Sequence, residues 1–247
     1  MLASMDEVAV LRLQGGKANA MSSELLDAIE RLVDGFEAGP ARAAVIIGYE
    51  RFFSAGLALP SLVALERPAM QRFIERFSAV MLRVFACPRP VVAAINGHAI
   101  AGGCVLALEC DWRVMVDADA RIGLNETQLG IGLPSSVLEP LKLQVPAASI
   151  VPIAMEGRLF SPAEALALGL VHELVPAAEL EARARAKAEA LAAIPAAALA
   201  QVKLGVRRAA LQAIHAQAAE DTERWLDTWY SPEARARLDE AVARLRR

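Results

Sequence analysis

Residues 90–109 read PVVAAINGHAIAGGCVLALE, and this stretch decides the fold. Residues 90–95 form an all-apolar run of strand length, as expected for a strand covered on both faces. Asn96-Gly97 then turns the chain, and a glycine-rich approach opens a short apolar helix at 102–109. Working outward, the same alternation recurs. Residues 7–13 (EVAVLRL) and 43–48 (AAVIIG) read as strands, with further strands at 112–116 and 121–124. Between them Ser22 caps an amphipathic helix to about Ala38, with Glu24 in its first turn. A longer helix runs from about Pro68 to Ala86. Buried strands separated by helices predict an α/β protein with largely parallel pairing.

The remainder of the chain changes character. SPAEALALGLV (161–171) is a capped helix with a glycine stop, and from Ala177 the pattern is helical almost to Arg247, broken at Pro195 and Ser231-Pro232. One core over 1–176 and a helical region over 177–247 follow, the latter expected to pack on its own core or on a neighbouring subunit.

Composition narrows the class. Of 247 residues 55% are hydrophobic, but about one in five is alanine, which raises the average without making greasy segments. No window of ~18 apolar, uncharged residues suits a membrane span. The start, MLASMDEVAVLRL, lacks the basic-then-apolar pattern of a signal peptide. A balance of 26 Lys+Arg against 29 Asp+Glu argues against a nucleic-acid partner. Three cysteines without metal-ligand spacing predict a reduced, cytoplasmic compartment with no disulfide framework and no zinc site.

Three segments could carry chemistry. RFFSAGL (51–57) and NGHAIAGGCVL (96–106) each read alone as a turn or as tight helix packing. Together they offer a glycine turn after one strand and a helix N-terminus after another. Two backbone N–H groups converging on one oxygen make an oxyanion hole, whereas no GK[ST] follows the glycines to make a phosphate loop. In the third segment, RIGLNETQLGIGLP (121–134), Glu126 is the only acidic residue between Asp119 and Glu139. A carboxylate among Ile, Leu and Gly has a raised pKa and becomes a base near neutral pH.

FSAGL, INGHAIAGGCVLALECDWRVM, IGLNETQLGIGLP and SPAEALALGLVHELVP, in this order and spacing, resemble the crotonase (enoyl-CoA hydratase/isomerase) superfamily. The resemblance implies a spiral of repeated β-β-α units with a C-terminal helical extension, assembled as a homotrimer or a dimer of trimers. It implies an acyl-CoA thioester as substrate and no separate cofactor. By position, the N–H groups of Leu57 and Gly102 would hold the thioester oxygen. Ser54, Ala55, Gly56, Gly103, Val105 and Leu133 would line the substrate. Hydratases of the family carry a second glutamate where this chain has Val105. That pairing of an apolar residue with L-N-E resembles the mitochondrial-type Δ3,Δ2-enoyl-CoA isomerase, with Glu126 shuttling a proton from C2 to C4. Ala58 and Pro134-Ser135-Ser136 depart from the common pattern. A hydratase or other thioester enzyme, and a non-catalytic acyl-CoA-binding oligomer, are the alternatives.

Other residues have simpler expectations. Cys104 with His98 could form a nucleophile pair, but Cys104 is expected to pack inside its helix. Ser135 and Ser136 read as helix caps, and His172 and His215 as structural or solvated. Glu109 and Asp111 read as structural, with Glu109 a second carboxylate if the helix register differs. Trp225, Trp229 and Tyr230 read as core or subunit contacts. Lys203, Arg207 and Arg208 read as a solvated helix face, or as contacts to CoA phosphates.

Overall fold

The computed structural model describes residues 7–245; the question of a leader at the first six residues lies outside them. The chain runs β1 (Val8–Arg12), α1 (Ser23–Ala38), β2 (Ala43–Ile47), β3 (Phe52–Ser54), a one-turn α2 (Leu59–Leu62) and α3 (Arg67–Ala86). It continues with β4 (Val91–Ile95), β5 (His98–Ile100), α4 (Gly102–Glu109), β6 (Trp112–Val116), β7 (Ile122–Gly123) and α5 (Ser135–Gln144). It ends with α6 (Pro162–Ala167), β8 (Glu173–Val175), α7 (Leu180–Ala192), α8 (Ala196–Trp229) and α9 (Pro232–Leu245).

Two parallel sheets result, of order β1-β2-β4-β6-β8 and β3-β5-β7. In each of three repeats the first strand enters the larger sheet, the second enters the smaller, and a helix follows. This is the β-β-α spiral the resemblance implied. The short strands β3, β5 and β8 escape sequence reading because three residues carry no periodicity, and the strand expected over 121–124 shrinks to Ile122–Gly123.

All residues of β2 and β4 are buried, so both faces of the larger sheet are covered. Ala44 and Ile46 face the main core with Val91, Ala93 and Ile95. Ala43, Val45 and Ile47 face the other way with Val92 and Ala94, against a stripe of α7 made by Leu180, Ala184, Ala188 and Ala192. Alternation by two on the strand meets recurrence by four on the helix. Of the two packings expected for the helical region, α7 shows the first: its alanines make a close-packed seam on this chain's own sheet.

Asn96 ties two turns together. Its Oδ1 accepts the Gly48 N–H at 2.9 Å, and its Nδ2 donates to the Glu50 carbonyl at 3.0 Å. A Cβ on Gly97 would collide with the Arg51 carbonyl, so the Asn-Gly pair is needed for close approach of the two crossovers.

Two cations on α8 correct the expectation for that helix. Lys203 and Arg207 are neither solvated nor available to a ligand: they are 8% and 5% exposed. Both reach Asp111, at 2.7 and 2.9 Å, and Lys203 also donates to the Arg89 carbonyl. Arg207 donates to the Phe85 carbonyl, and Asp111 accepts the Val91 N–H at 2.7 Å. Burial of these charges is tolerated because each is paired and hydrogen-bonded. Arg208 is exposed, as expected.

Candidate active site

The smaller sheet builds the site. Pairing of Ala99 with Ile122 and of Ile100 with Gly123 sets the segment carrying Glu126 beside the start of α4. The Ala101 N–H donates to the Gly123 carbonyl at 2.8 Å. Ala101 itself has φ 50° and ψ −118°, a conformation glycine adopts freely and alanine does not. This strain sits at the residue that aims the Gly102 N–H, which is where such strain tends to collect.

The second donor comes from the loop after β3. The Met21 N–H donates to the Gly56 carbonyl and the Ala58 N–H to the Met21 carbonyl, a bridge that leaves the Leu57 N–H facing away from Met21. Among the described residues, neither the Leu57 N–H nor the Gly102 N–H finds an acceptor in the fold. Gly56 has φ 82°, and a Cβ there would lie 3.4 Å from the Gly102 nitrogen, which measures how closely the loop rides on the helix start.

Leu57, Gly102, Val105, Glu126 and Leu133 line one cavity of about 20 Å³, room for roughly one water-sized group. Ile74, Phe77, Pro134, Val137 and Trp225 complete its wall. The other residues expected against the substrate form the frame behind it. Ser54 is fully buried: its hydroxyl donates to the Asn19 carbonyl at 2.7 Å and accepts the Gly56 N–H at 3.2 Å. The Ala55 N–H donates to the Ala18 carbonyl. A Cβ on Gly103 would collide with the Ser54 carbonyl, so glycine there lets α4 close onto β3.

Glu126 is 9% exposed, and its Oε2 is buried without a hydrogen-bond partner. Burial pushes its carboxyl up to about 7, as the sequence predicted for a carboxylate among apolar residues. The turn that carries it is clamped: the Thr127 hydroxyl donates to the Ala154 carbonyl at 2.6 Å and Gln128 Nε2 to the Glu156 carbonyl at 3.0 Å.

Rival chemistries find no support. Cys104 is fully buried and burial pushes its thiol far up, so it is no nucleophile. His98 accepts the Arg121 N–H through Nδ1. His172 stacks on Trp112 at 4.0 Å and is pushed down to about 4 by burial and by the nearby Arg113. Glu109 is fully buried with neither oxygen partnered, and it does not line the cavity. Ser135 and Ser136 are not caps: the cap position is Pro134, whose side chain bonds nothing. Ser135 donates its N–H to Asp221, and Ser136 pairs with Ser78. Trp225 belongs to the core, as expected, but it also walls the cavity. No local pattern signalled that role, because the contact is made from about 100 residues away along the chain.

Comparison with known proteins gives the family and the fold. Residues 4–239 match the model of the enoyl-CoA hydratase/isomerase family. The chain is 31% identical over 222 residues to Enoyl-CoA delta isomerase 1, mitochondrial, of Homo sapiens, covering 89% of this chain and 74% of that one. It is 36% identical over 188 residues to a probable enoyl-CoA hydratase of Bacillus subtilis, covering 75% and 71%. The crystal structure of human mitochondrial delta3-delta2-enoyl-CoA isomerase superposes with a TM-score of 0.90 at 29% identity, over 98% of this chain and 95% of that one.

Proposed function

The chain belongs to the enoyl-CoA hydratase/isomerase family, and on that premise we propose that it is a Δ3,Δ2-enoyl-CoA isomerase. One observation carries the reading: the cavity holds a single carboxylate, Glu126, opposite two free backbone donors, with Val105 where a second carboxylate would be needed to orient water.

The proposed reaction moves one proton and one double bond and is written without a cofactor. Ionised Glu126 takes a proton from C2 of a 3-enoyl thioester. The electrons pass into the thioester, whose oxygen becomes an enolate held by the N–H groups of Leu57 and Gly102. Donors fixed in a dry site stabilise that charge without reorganising. Glu126, now protonated, returns the proton at C4, leaving the conjugated 2-enoyl thioester. A carboxyl poised at about 7 suits both halves of the exchange.

The B. subtilis relative bears the name of a hydratase, so hydration is the second reading. A paired assay separates them. The protein is expected to convert a 3-enoyl-CoA to product with rising ultraviolet absorbance, and to hydrate crotonyl-CoA far more slowly. Equal rates would refute the single-carboxylate argument. A protein that binds thioesters but catalyses neither reaction would be the non-catalytic oligomer instead. Self-association, as the resemblance implies, is part of the proposal. The exposed Val202 and Val206 of α8 and Val151 and Met155 after α5 are apolar surface available for it.

A further inference from the structure

The last helix touches both halves of the site without lining it. α9 buries Ala234 and Leu238 in the main core, and these two mark one face of the helix. At about 100° per residue, Arg235 and Arg237 flank that face, one on each side and roughly 80° from its middle. Each reaches a backbone carbonyl, and the two carbonyls belong to different parts of the site.

On one flank is the loop that presents Leu57. Arg235 Nη2 donates to the Val63 carbonyl at 2.9 Å. Its Nη1 is buried without a partner, so the guanidinium lies within the fold and is committed to that carbonyl. The Val63 N–H donates to the Leu59 carbonyl at 3.0 Å, and the Leu59 N–H to the Leu57 carbonyl at 2.7 Å. A run of hydrogen bonds thus leads from α9 through α2 to the residue that carries one oxyanion donor. The Tyr230 hydroxyl, at the corner before α9, adds a bond to the Leu65 carbonyl at 2.7 Å.

On the other flank is the turn that carries Glu126. Arg237 Nη1 donates to the Gln128 carbonyl at 3.0 Å, two residues beyond the acid. The Leu129 and Ile131 N–H groups both donate to the Glu126 carbonyl, at 2.9 and 3.0 Å, which closes the turn on itself. Gly130 rests directly on α9: a Cβ there would lie 3.2–3.3 Å from Ala234. The Thr228 hydroxyl accepts the Gly132 N–H at 3.0 Å.

We propose that α9 is a brace that sets the separation between the Glu126 carboxyl and the Leu57 N–H, with Arg235 and Arg237 as its positioning residues. Neither arginine lines the cavity; each acts on it through a backbone carbonyl. Sheet topology shows what the brace adds. Leu57 follows β3 and Glu126 follows β7, the two edges of the smaller sheet, with β5 between them. Strand pairing sets each loop against β5 but does not join the two loops to each other, whereas α9 spans both. The inference rests on Glu126 and Leu57 acting in the reaction proposed above.

A double-mutant cycle in kcat tests it. Arg235→Met and Arg237→Met keep most of each aliphatic stem and remove the donor. Misplacing reacting groups by about 1 Å costs on the order of a hundredfold in rate, so a loosened brace should cost each single variant roughly tenfold in kcat. Groups that act as one unit are not additive, so the double variant should fall by about the same tenfold and not a hundredfold. The dissociation constant of butanoyl-CoA, a saturated ester that binds without turnover, should stay within about twofold by calorimetry, because neither arginine lines the cavity. Arg235→Lys and Arg237→Lys, which can still donate to a carbonyl, should recover most of the lost kcat. Arg244→Met, on a side chain that bonds only Glu240 of α9 itself, should leave kcat unchanged. Additive losses in the double variant overturn the proposal, since the two contacts would then be independent. So do variants that melt earlier yet keep wild-type kcat, or a loss of rate matched by a loss of butanoyl-CoA binding. The cycle can be read on isomerisation or on crotonyl-CoA hydration. A wild type that hydrates without isomerising refutes the isomerase reading while the cycle still decides on the brace; one that does neither overturns both.

Discussion

Glu126→Gln should remove the proposed activity and, above neutral pH, make the protein more stable. The magnitude follows from the environment of the carboxyl. It is 9% exposed, one oxygen has no partner, and burial raises it from the ordinary 4.5 to about 7. Unfolded, the group releases its proton near pH 4.5; folded, it keeps the proton to about pH 7. The folded state thus binds more protons through that window. Its stability is full below the window and falls as pH rises through it. At about 1.36 kcal/mol per pH unit the wild type loses about 3 kcal/mol across the window on account of this group. The substituted amide cannot ionise and escapes that loss. Urea melts of both proteins at pH 5 and pH 8.5 give the difference of differences, in which other titrating groups cancel. The variant should gain most of the ~3 kcal/mol on going to the higher pH. In parallel, kcat/KM of the wild type on a 3-enoyl-CoA should rise with pH around a midpoint near 7, because the ionised form is the base. Parallel melts for the two proteins, or an activity midpoint near 4.5, would refute the argument from burial.

Glu109 is fully buried with both oxygens unpartnered, and burial holds its carboxyl well above the usual range. Glu109→Leu should stabilise the protein increasingly as pH rises, by up to about 1.4 kcal/mol per unit until Glu109 ionises within the fold. A pH-independent difference in melts would contradict this. Val105→Glu places a carboxylate on the cavity wall at a 2% exposed position. It should lower isomerisation and raise crotonyl-CoA hydration above the wild-type rate, measured by loss of absorbance, and no gain would count against the division of labour between one and two carboxylates. Gly103→Ala forces a Cβ into the Ser54 carbonyl and pushes α4 from β3. It should cost at least about tenfold in kcat with circular dichroism preserved, in line with the loss expected from misplacing an oxyanion donor; wild-type kcat would show that the frame behind the donors is not needed.

The larger sheet was legible wherever a strand was long enough to carry a pattern, whereas the β-β-α repeat came only from the resemblance. β2 and β4 read as buried from five apolar residues each, and Ser22 as a cap, which it is: its hydroxyl accepts the Leu25 N–H. The short β3 and β5 were invisible as strands, yet the glycines that serve them were conspicuous. Glu126 was legible for a related reason. The signal is local, an isolated acid among Leu, Ile and Gly, although most of the cavity wall around it comes from elsewhere in the chain, from Leu57, Ile74, Phe77, Gly102, Val105 and Trp225.

The groups misread on α8 fail that test of locality. A helix cation that is solvated and one that is buried show the same spacing; only the partner differs, and here the partner is Asp111, about 90 residues earlier. Reading Lys203 and Arg207 as surface therefore followed from looking at α8 alone. Their burial has a consequence for the site. The same helix that is anchored at Lys203 and Arg207 carries Trp225 to the cavity wall, 18 residues beyond Arg207, a rise of about 27 Å. Asp111 sits just after the C-terminal end of α4, whose N-terminus presents the Gly102 donor. The cluster thus ties the far end of α4 to α8, and the helices that carry the Gly102 N–H and the Trp225 wall share one buried ionic contact that neither residue touches.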